Sequence, residues 1–277
     1  MGKLKLTNEI QVFLKKYSST LTAKECSEQC GCSEANIRYY CKKLGLQLKN
    51  GVKKSYLDLS CFLNPTPESA YILGWIWSDG YIQEHRNTIT IEIVNSDAEE
   101  LIPIIQSIGV WSIRTRYREN RQPQTTIQCT SKDVVNYLRS LGKFPKSTES
   151  HANILATIPA KLRKYFILGL LDGDGCFYLN ESRNLVQFSI SGSKNQDWTG
   201  LLKYFNSLNI SSSIHIQENP VCCSVLRITN RKGILTLINE LYTDTQLGLS
   251  RKKGKAKKIK DYIIYGNKSI KGSRKSD

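Results

Sequence analysis

Long apolar runs are missing from this 277-residue sequence: the longest, around Tyr71–Trp77 and Tyr165–Leu171, fall far short of the ~20 residues of a membrane span. The opening Met1-Gly-Lys-Leu-Lys-Leu-Thr-Asn-Glu-Ile has no continuous apolar stretch of the signal-peptide kind. The expectation is an intracellular protein with no membrane partner, in cytoplasm or organelle, whose nine cysteines are reduced. Histidine is scarce (His85, His151 and His215) and no Cys-x-x-Cys pair occurs, so the cluster Cys26, Cys30, Cys32, Cys41 has poor zinc-ligand spacing. No Gly-rich loop followed by Lys-Ser/Thr is present to cradle a nucleotide phosphate.

Acidic residues are sparse at both ends. The chain holds 40 Lys+Arg against 24 Asp+Glu, a net charge of +16. Residues 1–56 contribute 11 basic and 4 acidic side chains, residues 249–277 contribute 11 and 2, and the residues between them balance. Basic ends around a neutral centre suit a polyanion, because each Lys or Arg that neutralises a phosphate releases counterions. The plainer alternative is that basic ends only aid solubility.

Residues 21–46 carry two helix signatures. Thr22 with Glu25 forms a capping box and Gly31 ends that helix. Ser33 caps a second helix running to about Leu44, stopped by Gly45. Cys26, Cys30, Cys32, Ile37, Cys41 and Leu44 fall at inward positions, where free cysteine packs as a small hydrophobe. The pair resembles a helix-turn-helix, with Glu34, Ala35, Arg38, Tyr39 and Lys42 facing outward and Arg38 and Lys42 offered to DNA. A small helical packing domain is the alternative. Asn50-Gly51 and Asn64-Pro-Thr-Pro mark a linker over 50–66, and Thr66 with Pro67 opens the next helix.

From there the sequence repeats. Ile72-Leu-Gly-Trp-Ile-Trp-Ser-Asp-Gly80 and Ile167-Leu-Gly-Leu-Leu-Asp-Gly-Asp-Gly175 begin matching units 95 residues apart. Each unit reads as helix, two strands, helix, two strands, helix, so the class is α+β. Alternation sorts the strand faces. One face carries Arg114, Arg116, Arg118, Gln124, Thr126 and Gln128 in the first copy. In the second it carries Gln187, His215, Gln217 and Arg227. These side chains can read base edges, or can simply face solvent.

Gly74 and Ser78, and likewise Gly169 and Gly173, are spaced four apart on the opening helices. Glycine costs a helix about 1 kcal/mol relative to alanine, so close packing of the two helices is the expected compensation. Packing would bring Asp79 and Asp174 together at helix C-termini, which are already partly negative. Two carboxylates in that field suit a divalent cation between them.

Over residues 67–265 these features resemble the LAGLIDADG homing endonucleases of the two-motif, monomeric type. The resemblance implies two αββαββα repeats related by a pseudo-twofold axis, forming a saddle on double-stranded DNA, behind a small all-α helix-turn-helix domain. The domains follow as 1–49 for the helix-turn-helix, 50–66 for the linker, 67–150 and 151–266 for the repeats, and 267–277 for a basic disordered tail. It further implies Mg²⁺, replaceable by Mn²⁺, bound by Asp79 and Asp174 with the backbone carbonyls of Ser78 and Gly173. Lys146 and Lys252 would assist at the scissile phosphates, Arg251 and Lys253 competing with Lys252 for that part. Asn95 would position a water, with Gly192 at the counterpart. Trp77 stands where the second copy has Asp172, which assigns Asp172 to structure.

The implied activity is a site-specific double-strand cut. Other nucleases fit worse, since three scattered histidines make neither an HNH nor a His-Cys box. The chain also lacks an N-terminal nucleophile and a terminal His-Asn pair, against an intein. The alternatives are a non-cleaving DNA-binding regulator, or an RNA maturase acting on a host intron.

Overall fold

A computed structural model describes residues 6–49, 55–142, 148–218 and 222–272. The chain divides into two units, Met1–Lys54 and Ser55–Asp277.

The first unit holds three helices, α1 (Asn8–Tyr17), α2 (Ala23–Cys30) and α3 (Glu34–Lys43). Thr22 and Glu25 close the expected capping box: the Glu25 amide donates to Thr22 Oγ1 at 3.2 Å and the Thr22 amide to Glu25 Oε2 at 2.7 Å. Gly31, at φ +62°, ends α2 in the left-handed region, and Ser33 caps α3. Helix α1 adds to the expected pair; Thr7 caps it, and Ile10 and Leu14 share its inward face. These two pack with Cys26, Ile37, Tyr40 and Cys41 into a small core. Cys30, Cys32 and Leu44, expected inside, are only half-buried. Burial raises the thiol pKa of Cys26 and Cys41. Arg38, Tyr39 and Lys42 face out as expected.

The second unit starts inside the expected linker, which needs correction. Strand β1 (Tyr56–Leu57) and helix α4 (Ser60–Leu63) are structured, and Leu57 and Phe62 enter the core. Apolar side chains at those places outweigh the surrounding turn residues. Helix α5 (Pro67–Ser78) follows, opened by Thr66 and Ser69 hydrogen-bonding reciprocally. Then come β2 (Gly80–Gln83), β3 (Thr88–Val94), α6 (Asn95–Ser107), β4 (Gly109–Val110), β5 (Ser112–Arg116), β6 (Gln124–Thr130) and α7 (Lys132–Ser140). The short β4 pairs antiparallel with β1.

Helix α8 (Ala152–Thr157) connects to α9 (Arg163–Asp174), followed by β7 (Gly175–Asn180), β8 (Leu185–Ser193), α10 (Thr199–Ser207), β9 (Ser213–Gln217), β10 (Cys223–Ile228) and α11 (Arg231–Tyr242). The last helix, α12 (Ser250–Gly272), runs through the stretch from Asn267 that composition assigns to a disordered tail. Lys268, Ile270 and Lys271 are tolerated in a helix, so composition alone misplaces the start of that tail, whose residues 273–277 lie outside the described residues.

Both four-stranded sheets are antiparallel and share one order: β2-β3-β6-β5 and β7-β8-β10-β9. Register agrees with the face assignment. Ile91 faces Ile127, which faces Ile113, on the buried side of the first sheet; Phe177 faces Phe188, which faces Ile228, in the second. Helices α5 and α9 are buried along most of their lengths and pack chiefly against each other.

Candidate functional site

The seam between α5 and α9 depends on absent side chains. A Cβ at Gly169 would overlap the Tyr71 carbonyl oxygen and lie 3.2 Å from Gly74 Cα; one at Gly74 would overlap the Phe166 carbonyl. The backbones therefore touch, and the C-terminal ends of both helices arrive at one place. There a Cβ at Gly173 would overlap Ser78 Oγ and Asp79 Oδ2. Ser78 Oγ lies 3.1 Å from Asp79 Oδ2 and also donates weakly to the Gly74 and Trp75 carbonyls. Asp79 is half-buried and Asp174 exposed.

Two carboxylates with adjoining backbone carbonyls are a hard-oxygen donor set of the kind Mg²⁺ or Mn²⁺ takes. The glycine at 173 leaves room beside Asp79 that any side chain would fill, so the residues present fit a divalent ion. Among the described residues no three His, Cys, Asp or Glu side chains form a metal-binding group, so water and substrate oxygens would have to complete the shell.

Behind the acids lies a second layer. Asp172 is buried and its Oδ2 accepts from Tyr71 Oη at 2.7 Å and from the Leu249 amide at 2.9 Å. Its Oδ1 has no hydrogen-bond partner among the described residues. Burial pushes its pKa up to about 6, against the lowering effect of those donors and of Lys252. Lys252 is itself buried, its Nζ donating to the carbonyls of Leu171 (2.6 Å), Gly175 (2.9 Å) and Asp172. Burial pushes Lys252 down to about 8, partly opposed by Asp172 and by Asp79. An ammonium on the last carbonyls of α9 complements the helix dipole. Its competitors point elsewhere: Arg251 grips Asp97 through Nε (2.8 Å) and Nη2 (2.6 Å), and Lys253 Nζ donates to the Gln246 carbonyl at 2.7 Å.

Lys146 lies outside the described residues. Asn95 opens α6 with its amide engaged: Oδ1 accepts from Thr125 (2.7 Å) and Thr115 (3.3 Å), and Nδ2 donates to Glu99 at 2.7 Å. It braces two strands of the first sheet, because β3 hands over to α6 at that point.

Alternation holds in β6, but in β9 it does not sort the faces: all five residues are exposed, Ile214 at 45% and Ile216 at 60%. Arg114, Arg116 and Arg118 are exposed, with Arg118 beyond the end of β5. Gln124, Thr126 and Gln128 are half-buried, and Gln128 Nε2 donates to Thr90 Oγ1 at 3.0 Å. His215 and Gln217 are exposed, while Gln187 and Arg227 are half-buried. The first face is strongly cationic; the second is mostly neutral.

Sequence reading misses His151 and Trp198. Together with Trp77, Ser78, Asp174 and Gln196 they line a cavity of about 350 Å³ beside the Asp174 end of the seam. The one signal for it is Trp77, a bulky residue at an acid's place.

No family model matches this chain. It is 25% identical over 164 residues to an uncharacterized protein of Methanocaldococcus jannaschii (MJ0314), a match covering 57% of the chain. The chain spans about 60% of the length of that curated relative. Among solved structures it is similar to the I-SmaMI LAGLIDADG homing endonuclease bound to cleaved DNA (TM-score 0.49, 10% identity, 74% of this chain and 91% of that one). It is similar too to I-DmoI in complex with DNA and Ca (0.44, 18%, 66% and 92%). A third is full-length DUF199/WhiA from Thermatoga maritima (0.45, 15%, 74% and 64%).

Proposed function

We propose that this chain is a site-specific double-strand DNA endonuclease of the two-motif LAGLIDADG type, acting as a monomer, with its α1–α3 unit serving as a helix-turn-helix that lengthens the contacted site. The observation that carries this reading is the backbone contact at Gly74 and Gly169, which brings the α5 and α9 C-termini together so that Asp79 Oδ2 lies beside Gly173, the residue before Asp174. Two acids at helix C-termini would repel a phosphate backbone. A pure binder gains nothing from that arrangement, whereas a nuclease that needs a divalent ion does. The two sheets of one strand order support a pseudo-twofold saddle, one half per DNA half-site.

Asp79 and Asp174, with the carbonyls of Ser78 and Gly173, would hold the ion. Mg²⁺ or Mn²⁺ held there supplies Lewis-acid stabilisation of phosphate charge and a more acidic water. The chain's own groups do the rest. Asp172 and Tyr71 fix the α5–α9 seam so that the acids keep their separation. Lys252, buried against α9, contributes positive potential toward charge building on the phosphate. In the overall step water oxygen bonds to phosphorus as the P–O3′ bond breaks, its electron pair leaving on O3′. The water gives up a proton, and O3′ takes one up, leaving a 5′ phosphate and a 3′ hydroxyl. The cationic first face would follow the phosphates, and the Gln, Thr and His positions would read base edges.

The test uses the chain's own coding-locus DNA with the coding insertion removed, in Mg²⁺ and in Ca²⁺. A discrete Mg²⁺-dependent double-strand cut is expected, lost or reduced to nicking in Asp79→Asn and Asp174→Asn. Tight binding without cutting, unchanged in both variants, would replace this reading with a regulator; preferential binding of intron RNA would replace it with a maturase.

A further inference from the structure

The two sheets present equivalent rows of side chains, and strand register defines the equivalence. Directly after the two acids, Gly80 pairs with Ile91 and Gly175 with Ile190. One step further along the strands, the first sheet carries the row Tyr81–Thr90–Gln128–Ser112. The second carries Cys176–Ser189–Arg227–Ser213. Gln128 and Arg227 therefore occupy the same position in the two halves. Both stand on inner strands, β6 and β10, with a partner strand on either side.

The chemistry of the two positions differs. Arg227 is the only Lys, Arg, Asp or Glu in the four strands of the second sheet. Its row neighbours are short, and the Ser213 hydroxyl is taken by His215 Nε2 at 3.0 Å. Among the described residues Arg227 has no hydrogen-bond or ion-pair partner, and Nε alone among its nitrogens is both buried and unpaired. The stem is sunk in the sheet, and the terminal Nη pair is left to face outward. Burying part of a charged group without a partner is unfavourable, so the arrangement asks for a ligand with two acceptors side by side. Gln128 is already engaged, its Nε2 donating to Thr90 Oγ1 at 3.0 Å.

Position decides which acceptors. Arg114 and Arg116 are exposed on β5, an edge strand, and suit phosphates at a groove rim. An inner-strand arginine with its stem held by the sheet is aimed at the groove floor instead. There guanine presents O6 and N7 as adjacent acceptors matched to a planar fork.

We propose that Arg227 is a specificity-determining residue that selects guanine in the half-site under the second sheet, and that the target is not palindromic at this offset, because the first half offers Gln128 there. This deepens the endonuclease reading above and rests on its DNA-binding part.

The experiment is competition binding of the full chain to its locus DNA in Ca²⁺. Each base pair is exchanged in turn, and 7-deazaguanine, which lacks the N7 acceptor, replaces each guanine in turn. The unaltered chain is expected to lose about tenfold or more in affinity at one guanine of one half-site, both on exchange to adenine and with the deaza base. Arg227→Gln is expected to move the preference at that position alone to adenine, whose N6 and N7 suit an amide. The equivalent strand position already carries glutamine, so the sheet accommodates it. Arg227→Lys keeps the charge without the fork, and should keep the salt dependence while discriminating less at that position. Uniform weakening on every sequence by Arg227→Gln, with a salt slope lower by about 1, would make Arg227 a phosphate contact and overturn this proposal alone. An unchanged preference would overturn it too. Site-specific binding with the expected shift but no cut in Mg²⁺ overturns the endonuclease reading and leaves the guanine assignment standing; no site-specific binding at all removes both.

Discussion

Tyr71 on α5 donates a 2.7 Å hydrogen bond to the buried carboxylate of Asp172 on α9, 101 positions later in the chain. This bond joins the two repeats, on α5 about two turns before Asp79 and on α9 two residues before Asp174, and the Leu249 amide also donates to the same carboxylate oxygen. Removing one partner of a buried, charge-assisted bond costs about 1–3 kcal/mol. Tyr71→Phe should lower the melting temperature and, measured separately, weaken divalent-ion affinity by loosening the Asp79–Asp174 separation.

The same carboxylate sets a pH dependence. Its folded pKa is raised to about 6, above the unfolded value of about 3.9. The folded state thus binds more protons between those limits, and stability falls as pH rises through that window. The full effect is on the order of 3 kcal/mol at most. Asp172→Asn, melted in EDTA, should show a flatter profile from about pH 4 to about pH 6.5 than the unaltered chain. Parallel profiles would sink the idea.

Glycine packing at the seam is open to a direct comparison. Gly169→Ala places a methyl against the Tyr71 carbonyl, and overpacking of this kind typically costs about 1–3 kcal/mol. Gly254, on α12, has nothing within 4 Å of its Cβ position; Gly254→Ala should stabilise by about 0.5–1 kcal/mol through helix propensity. Calorimetry on both variants should give shifts of opposite sign.

Arg251 and Asp97 form the ion pair that pins α12 to the first half. The Asp97 side chain is 7% exposed and the Arg251 side chain 55%, so solvent screens the pair from one side. Arg251→Met is expected to destabilise by roughly 1–2 kcal/mol, mostly by leaving Asp97 buried and unpaired. A double-mutant cycle with Asp97→Asn should restore most of that stability.

Unequal sheet faces predict unequal salt behaviour. Replacing Arg114 or Arg116 by Ala should reduce the slope of log K against log[salt] by about 1 for each phosphate left un-neutralised, with little change in sequence preference. His215→Ala and Gln217→Ala should leave the slope intact and relax base preference at single positions. Titrations at several salt concentrations, run on matched and scrambled sites, separate the two.

Local chemistry made much of the architecture legible in the sequence. Period-two alternation sorted the faces of strands such as β6, the reciprocal Thr22–Glu25 caps marked α2, and the repeated glycine spacing announced the α5–α9 packing. These signals act within a few residues, where sterics and hydrogen-bond valence decide. What only tertiary structure decided depends on chain segments far apart meeting. Leu57 and Phe62 became core because β1 pairs with β4 and α4 packs against α5. Lys252 turned onto the end of α9 because the segment before α12 is anchored on Glu100 and Asp97. His151 came to line the cavity that also includes Asp174 because the Asp197 amide and Gln196 hold the segment before α8 and its ring stacks on Trp198. No periodicity encodes such meetings, since they arise from the packing of two completed halves against each other.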